Sequence, residues 1–216
     1  MSFLFQDQKD QIIWSELVKK YEIDEQKQYQ FKKYLDLIMQ ENQKYNLTTI
    51  VSVQAIILDH FYDSLALQPF LQEKSISKLA DVGSGGGFPG IPLAIMNEAL
   101  TVHLIEVTQK KIQFLMMVVD TLGLKNVRIH SLDWRTFLRK VTDQIEVFTA
   151  RASLPLGELV RIFKPSSSFH KSILVYWASK NWEMKEKETE YFDFCKKYKV
   201  GDKERSLCFF KRRVTV

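Results

Sequence analysis

Asp81-Val82-Gly83-Ser84-Gly85-Gly86-Gly87-Phe88-Pro89-Gly90 decides how the rest of this chain is read. Before it stands Lys78-Leu79-Ala80, the opening of a short apolar run of strand type, and after it Ile91-Pro92-Leu93-Ala94-Ile95 suits a helix. Glycines crowded at a strand end permit unusual backbone angles and let a ligand approach the main chain closely. A tight turn without a ligand is the plain alternative.

Outward from this loop, LADVG, VHLIE, VRIHS, EVFTA and SILVYW recur as short apolar runs separated by stretches of helical period. Such alternation predicts βα units, and hence a parallel sheet covered on both faces with right-handed crossovers. The runs YFDFCKKYKV and RSLCFFKRR, joined around Gly201 and Asp202, predict a closing β-hairpin. Ahead of the sheet, Phe31, Tyr34, Leu35, Ile38 and Met39 follow a helical period after a start at Asp24. A further helix is expected from Val53 to His60, with Asp63 or Ser64 capping another that begins at Leu65. The expected organisation is a helical extension over residues 1–75 and a Rossmann-like domain over residues 76–216.

With 45% hydrophobic and 26% charged residues, 8 Gly and 5 Pro, the composition is that of an ordinary globular protein. No apolar run has the length of a bilayer span, and MSFLFQDQKDQ does not read as a secretion signal, so a cytoplasmic location is expected. Cys195 and Cys208 lack the spacing of a metal site or redox pair and read as free buried thiols; no metal is expected. Residues 1–75 hold 8 Lys+Arg against 11 Asp+Glu, whereas residues 76–216 hold 23 against 15. The basic field therefore lies with the sheet, where it suits a polyanion such as nucleic acid. The sequence sets no oligomeric state, and a monomer is the default.

Two adenosine cofactors bind at the carboxyl ends of such sheets, and the loop separates them. A dinucleotide fingerprint needs glycine at its sixth position, but counting from Gly83 that position is Phe88. The run Asp81-x-Gly83-x-Gly85-x-Gly87 instead resembles the first motif of class I S-adenosylmethionine methyltransferases, whose sheet also ends in an antiparallel hairpin. Glu106, closing VHLIE, stands where those enzymes bind the ribose hydroxyls; a carboxylate is acceptor-only and suits that task. Its plain alternative is a solvated acid after a strand.

Several fragments in one order sharpen the likeness: Asn46-Leu47-Thr48, His60 with Asp63-Ser64, DVGSGGGFPGIPLAI, IEVTQKKIQFL, Arg151-Ala152 and ERSLCFFKRR. Together they resemble the bacterial glucose-inhibited division protein B family, small-subunit ribosomal RNA (guanine-N7) methyltransferases. That resemblance implies a seven-stranded, mostly parallel sheet with a C-terminal antiparallel hairpin. It also implies methyl transfer from S-adenosylmethionine to N7 of a guanosine in the decoding-region loop of 16S rRNA, free or in the 30S subunit. It carries cofactor contacts to Asp81, Gly83, Gly85, Phe88, Glu106, Asp133, Trp134, Arg135 and Arg151.

Asn46, His60, Lys110, Lys111 and Lys180 are candidates for the RNA or its base, and Lys196, Lys197, Lys199, Lys211, Arg212 and Arg213 crowd the hairpin. For these, helix capping (Asn46), a core histidine (His60) and solvated edge protection (the hairpin cations) are the plain alternatives. Guanine N7 offers a lone pair without losing a proton, so no general base is required and none is assigned.

The chain departs from the family at Asp133-Trp134-Arg135-Thr136, where an acidic pair is usual, and at Lys180-Asn181, where the family has Lys-Gly. Two rival functions follow: a non-catalytic RNA-binding or ribosome-assembly protein keeping this fold, and a nucleotide-dependent oxidoreductase resting only on the glycine loop.

Overall fold

The computed structural model describes residues 7–45, 50, 52–178 and 182–213. Asn46, Lys180 and Asn181, named above, lie outside the described residues.

Seven strands form one sheet in the order β3-β2-β1-β4-β5-β7-β6. They are β1 Lys78–Val82, β2 Thr101–Glu106, β3 Val127–Ser131, β4 Val147–Ala150, β5 Ile173–Ala178, β6 Phe192–Val200 and β7 Lys203–Phe210. The first five pair in parallel, and β7 enters antiparallel between β5 and β6. The apolar runs of the glycine-loop reading are thus all strands, and the predicted hairpin closes the sheet.

Because β1 has β2 on one side and β4 on the other, the strand order reverses beside it, which opens a crevice at the strands' carboxyl ends. Gly83 follows β1, Glu106 ends β2 and Arg151 follows β4, so three of the expected site residues meet there.

Alternation along each strand feeds two cores. One face sends Leu79, Val147, Val175, Leu207 and Phe209 toward the N-terminal helices, joined by Phe31, Tyr34 and Phe61. The other sends Ala80, Phe148, Leu174 and Phe210 toward Trp134, Phe137 and Leu159. Burial on both faces explains why these strands read as nearly continuous apolar runs.

Among the helices, α1 Gln8–Tyr21 and α2 Glu25–Tyr45 precede the sheet; Asp24 accepts from Lys27 N at 2.9 Å, as its predicted place at the start of α2 requires. The helix expected over Val53 to His60 is longer than its sequence suggests. It runs as α3 Val53–Ile56, a π-helical segment Ile57–Tyr62 and α4 Asp63–Leu65. Asp63 and Ser64 therefore cap nothing: Ser64 Oγ donates back to the His60 carbonyl, and the Asp63 carboxylate is committed to distant partners. α5 Gln68–Glu73 leads into β1, then α6 Gly90–Met96, α7 Gln109–Leu122, α8 Trp134–Lys140 and α9 Leu156–Leu159 follow.

The cysteines correct the sequence reading. Cys195 and Cys208 face one another in the β6–β7 register and are joined by a disulfide, with Cα atoms 4.1 Å apart. They stand 13 positions apart in sequence, and only the hairpin pairing makes them neighbours. No helix among the described residues is long and apolar enough to cross a membrane.

Candidate active site

Two clefts open at the carboxyl edge of the sheet and share Gly83, Lys111 and Ala152. The first, about 530 Å³, lies on the side of the N-terminal helices and the hairpin; the second, about 610 Å³, lies over β2 and α8.

The glycine loop forms the partition. Gly83 (φ +68°) sits so close to Ser153 that an added Cβ would stand 2.5 Å from the Ser153 Cβ. Gly85 (φ +57°) differs: the nearest heavy atom to an added Cβ is 3.9 Å away, so its missing side chain leaves open space on the cleft wall. Tyr34 holds the loop from α2 by donating its hydroxyl to the Gly86 carbonyl.

Asp81 lies behind the loop and lines neither cleft. Its carboxylate accepts from Gly90 N (3.1 Å) and Thr149 Oγ1 (3.1 Å), tying β1 to α6 and β4. Burial raises its pKa to about 6 against those hydrogen bonds. Asp81 thus positions the loop.

Glu106 lines the second cleft. It receives Val107 N and Thr108 N on Oε1 and Gly85 N on Oε2, each at 2.9 Å. Burial pushes its pKa upward, but the N–H groups of Thr108, Gly85 and Val107 outweigh it and leave the carboxylate below its usual value. The same cleft gathers Ile105, Val107, Leu132 and Trp134, an apolar setting for a planar group.

The departing residues also stand there. Asp133 is the N-cap of α8, accepting from Thr136 N and Thr136 Oγ1. Trp134 is buried and donates Nε1–H to the Glu158 carbonyl at 3.1 Å. Arg135 makes a forked ion pair with the Glu158 carboxylate. Ser153, which the sequence reading did not single out, places a buried Oγ with no partner among the described residues on this wall.

In the first cleft His60 lies flat on Phe88, with ring centroids 4.1 Å apart and planes 10° apart. Arg151 reaches the Asp59 carbonyl (2.8 Å) and Asp63 Oδ2 (3.0 Å) through Nη1 and His60 Nδ1 (2.9 Å) through Nη2, while its guanidinium lies 5.3 Å from the Phe88 ring centre. Tyr198 donates to Asp63 Oδ1 at 2.6 Å, and Lys203 and Arg205 both grip Asp59. Burial would raise the Asp59 pKa, but these two cations bring it below the ordinary range.

The network joins helix 53–65, the segment after β4, and the hairpin. Asp59, Tyr198 and Arg205 were missed in the sequence, since no local period marks a contact across more than a hundred residues. Lys111 stands at the seam of the clefts and forms no ion pair with a described residue; Lys110, one position before it, lines neither cleft.

The family described as "GidB: rRNA small subunit methyltransferase G" matches residues 27–208. The chain belongs to that family. It is 44% identical over 110 residues to "Ribosomal RNA small subunit methyltransferase G" of Leuconostoc citreum, a stretch covering 50% of this chain and 46% of the relative. Its identity to the protein of the same name from Clostridium botulinum is 43% over 146 residues, covering 67% and 61%. The matched stretches thus span less than two thirds of either relative.

A crystal structure of a putative caffeoyl-CoA O-methyltransferase from Staphylococcus aureus superposes with a TM-score of 0.60 at 10% identity, covering 94% of this chain and 100% of that one. Together with the strand order, this shows the class I methyltransferase fold, as expected from the loop and hairpin.

Proposed function

We propose that the chain transfers a methyl group from S-adenosylmethionine to N7 of a guanosine in the decoding-region loop of 16S rRNA. The observation that carries this reading is the meeting of the two clefts at Gly83 and Lys111 in a chain of this family. The cleft walls suit the cofactor. Gly85 leaves open space beside the loop, Ser153 Oγ offers a hydroxyl with no partner among the described residues, and Glu106 carries the acceptor oxygens that ribose hydroxyls need.

When bound, S-adenosylmethionine supplies an electrophilic methyl on a sulfonium. The protein's task is then placement. In this reading Val107, Leu132 and Trp134 enclose the adenine, and the loop backbone and Arg151 bind the methionyl end. The Phe88–His60 stack presents an aromatic wall on which a purine can lie, aligning its nitrogen for in-line attack. No proton must leave N7, which agrees with the carboxylates of the first cleft: Asp59 and Asp63 are both tied to cations.

The test is incubation of 30S subunits and of deproteinised 16S rRNA with the protein and tritiated cofactor. Label should enter one guanosine, mapped by borohydride reduction and strand scission. Absence of label from both RNAs would defeat the proposal, and label in an exocyclic amine would move the target atom.

A further inference from the structure

We propose that the β6–β7 hairpin is a docking edge for the RNA backbone, separate from the cleft that receives the base. This rests on the RNA substrate inferred above. The chain carries 31 basic and 26 acidic residues; residues 192–213 alone hold eight basic and three acidic, so the remaining residues balance at 23 of each. The whole net charge of +5 therefore resides in this hairpin and the three residues after it.

Five of those cations stand on the two strands and divide into two groups, while Lys211, beyond β7, pairs with Asp193. Lys203 and Arg205, on β7, turn inward to Asp59, and Tyr198 turns to Asp63; these contacts root the hairpin in the wall of the first cleft. Lys196, Lys197 and Lys199, on β6, are exposed, and none forms an ion pair with a described residue. β6 is the edge strand, and alternation puts Lys196 on the same face as Tyr198 but Lys197 and Lys199 on the other, in register with Ser206 and Glu204. At about 3.4 Å per residue, Lys197 and Lys199 stand roughly 7 Å apart, a spacing open to successive phosphates of an extended strand. The positive edge begins beside the first cleft, because Lys196 shares its face of β6 with Tyr198, which lines that cleft.

Lysines also protect an exposed edge from pairing with another chain, but other charged side chains serve that role too. Charge reversal therefore separates the two roles. The full chain carrying Lys196→Glu, Lys197→Glu and Lys199→Glu should remain monodisperse and bind S-adenosylhomocysteine as the parent does. Its affinity for a fluorescein-labelled single-stranded RNA, read by anisotropy, should fall at least about tenfold, with a log–log salt slope shallower by about 2. The corresponding triple arginine variant should restore both.

Parent-like RNA affinity and slope in the glutamate variant would overturn the proposal. So would a lysine-dependent affinity for phosphatidylglycerol vesicles in a parent that does not bind RNA. If the parent binds RNA through these lysines yet methylates none, the docking edge stands and the proposed function falls. If parent and glutamate variant methylate and bind alike, the reverse holds.

Discussion

Arg151 Nη2 lies 2.9 Å from His60 Nδ1, and the direction of that hydrogen bond settles where the imidazole keeps its proton. A guanidinium donates only, so Nδ1 accepts and the single proton of a neutral ring is on Nε2. Burial, and secondarily the Arg151 charge, lower the His60 pKa to about 3. The native ring thus stays neutral while an unfolded one gains a proton below about pH 6.5, so this residue's contribution to stability is lost as pH falls through that window. Methyl transfer should show no ionisation of His60 between about pH 5 and pH 8. An activity step near pH 6.5 that vanishes in His60→Asn would contradict this assignment.

Asp81 works in the opposite sense. Its native pKa, raised to about 6 by burial, exceeds the ordinary 3.8, so its contribution is complete below the lower value and lost as pH rises through the upper one. Asn at this position cannot ionise. The stability of Asp81→Asn relative to the parent should therefore improve by roughly 2 kcal/mol between pH 4 and pH 7. Urea denaturation at the two pH values measures it, and a constant difference would mean that the carboxyl ionises normally.

Gly85 faces open space at the cleft while Gly83 abuts Ser153, so equal substitutions should part company. Gly85→Ala is expected to fold, with about 1 kcal/mol of backbone strain, and Gly85→Val to weaken S-adenosylhomocysteine binding at least about tenfold in a folded protein. Gly83→Val should lose several-fold more folded protein through collision with Ser153. Calorimetric titration beside circular dichroism separates the outcomes; full cofactor affinity in Gly85→Val would remove the loop from the site.

Asp63 neutralises Arg151 and accepts from Tyr198 while almost wholly buried. Asp63→Ala should cost about 3 kcal/mol, since it leaves a largely buried guanidinium without its counter-charge, whereas Tyr198→Phe should cost about 1–2 kcal/mol. Thermal unfolding in equal buffers provides the comparison, and equal losses would show that the ion pair contributes nothing beyond the phenol's hydrogen bond.

Arg135 pairs with Glu158 at the exposed rim of the second cleft, its side chain 60% exposed. Such a pair is worth at most about 1 kcal/mol. Arg135→Ala should shift S-adenosylhomocysteine affinity less than about threefold, and Glu106→Ala at least about tenfold. A large loss in Arg135→Ala would place its guanidinium on the cofactor.

The strands, the glycine turn and the closing hairpin were legible in the sequence because each is written locally. Alternation, helical period and turn chemistry are set within a few residues, and DVGSGGGFPG with VHLIE sufficed to point to the carboxyl ends of β1 and β2, where the two clefts open. Tertiary structure alone decided what those residues do to one another. It turned Asp81 away from the clefts and onto Gly90 and Thr149, and it engaged Asp63 with Arg151 and Tyr198. It also laid His60 on Phe88, paired Cys195 with Cys208, and gave Asp59 to Lys203 and Arg205. Such contacts join segments far apart in the chain, and their partners are chosen by packing and by the demand that buried charges be paired, which no local pattern records.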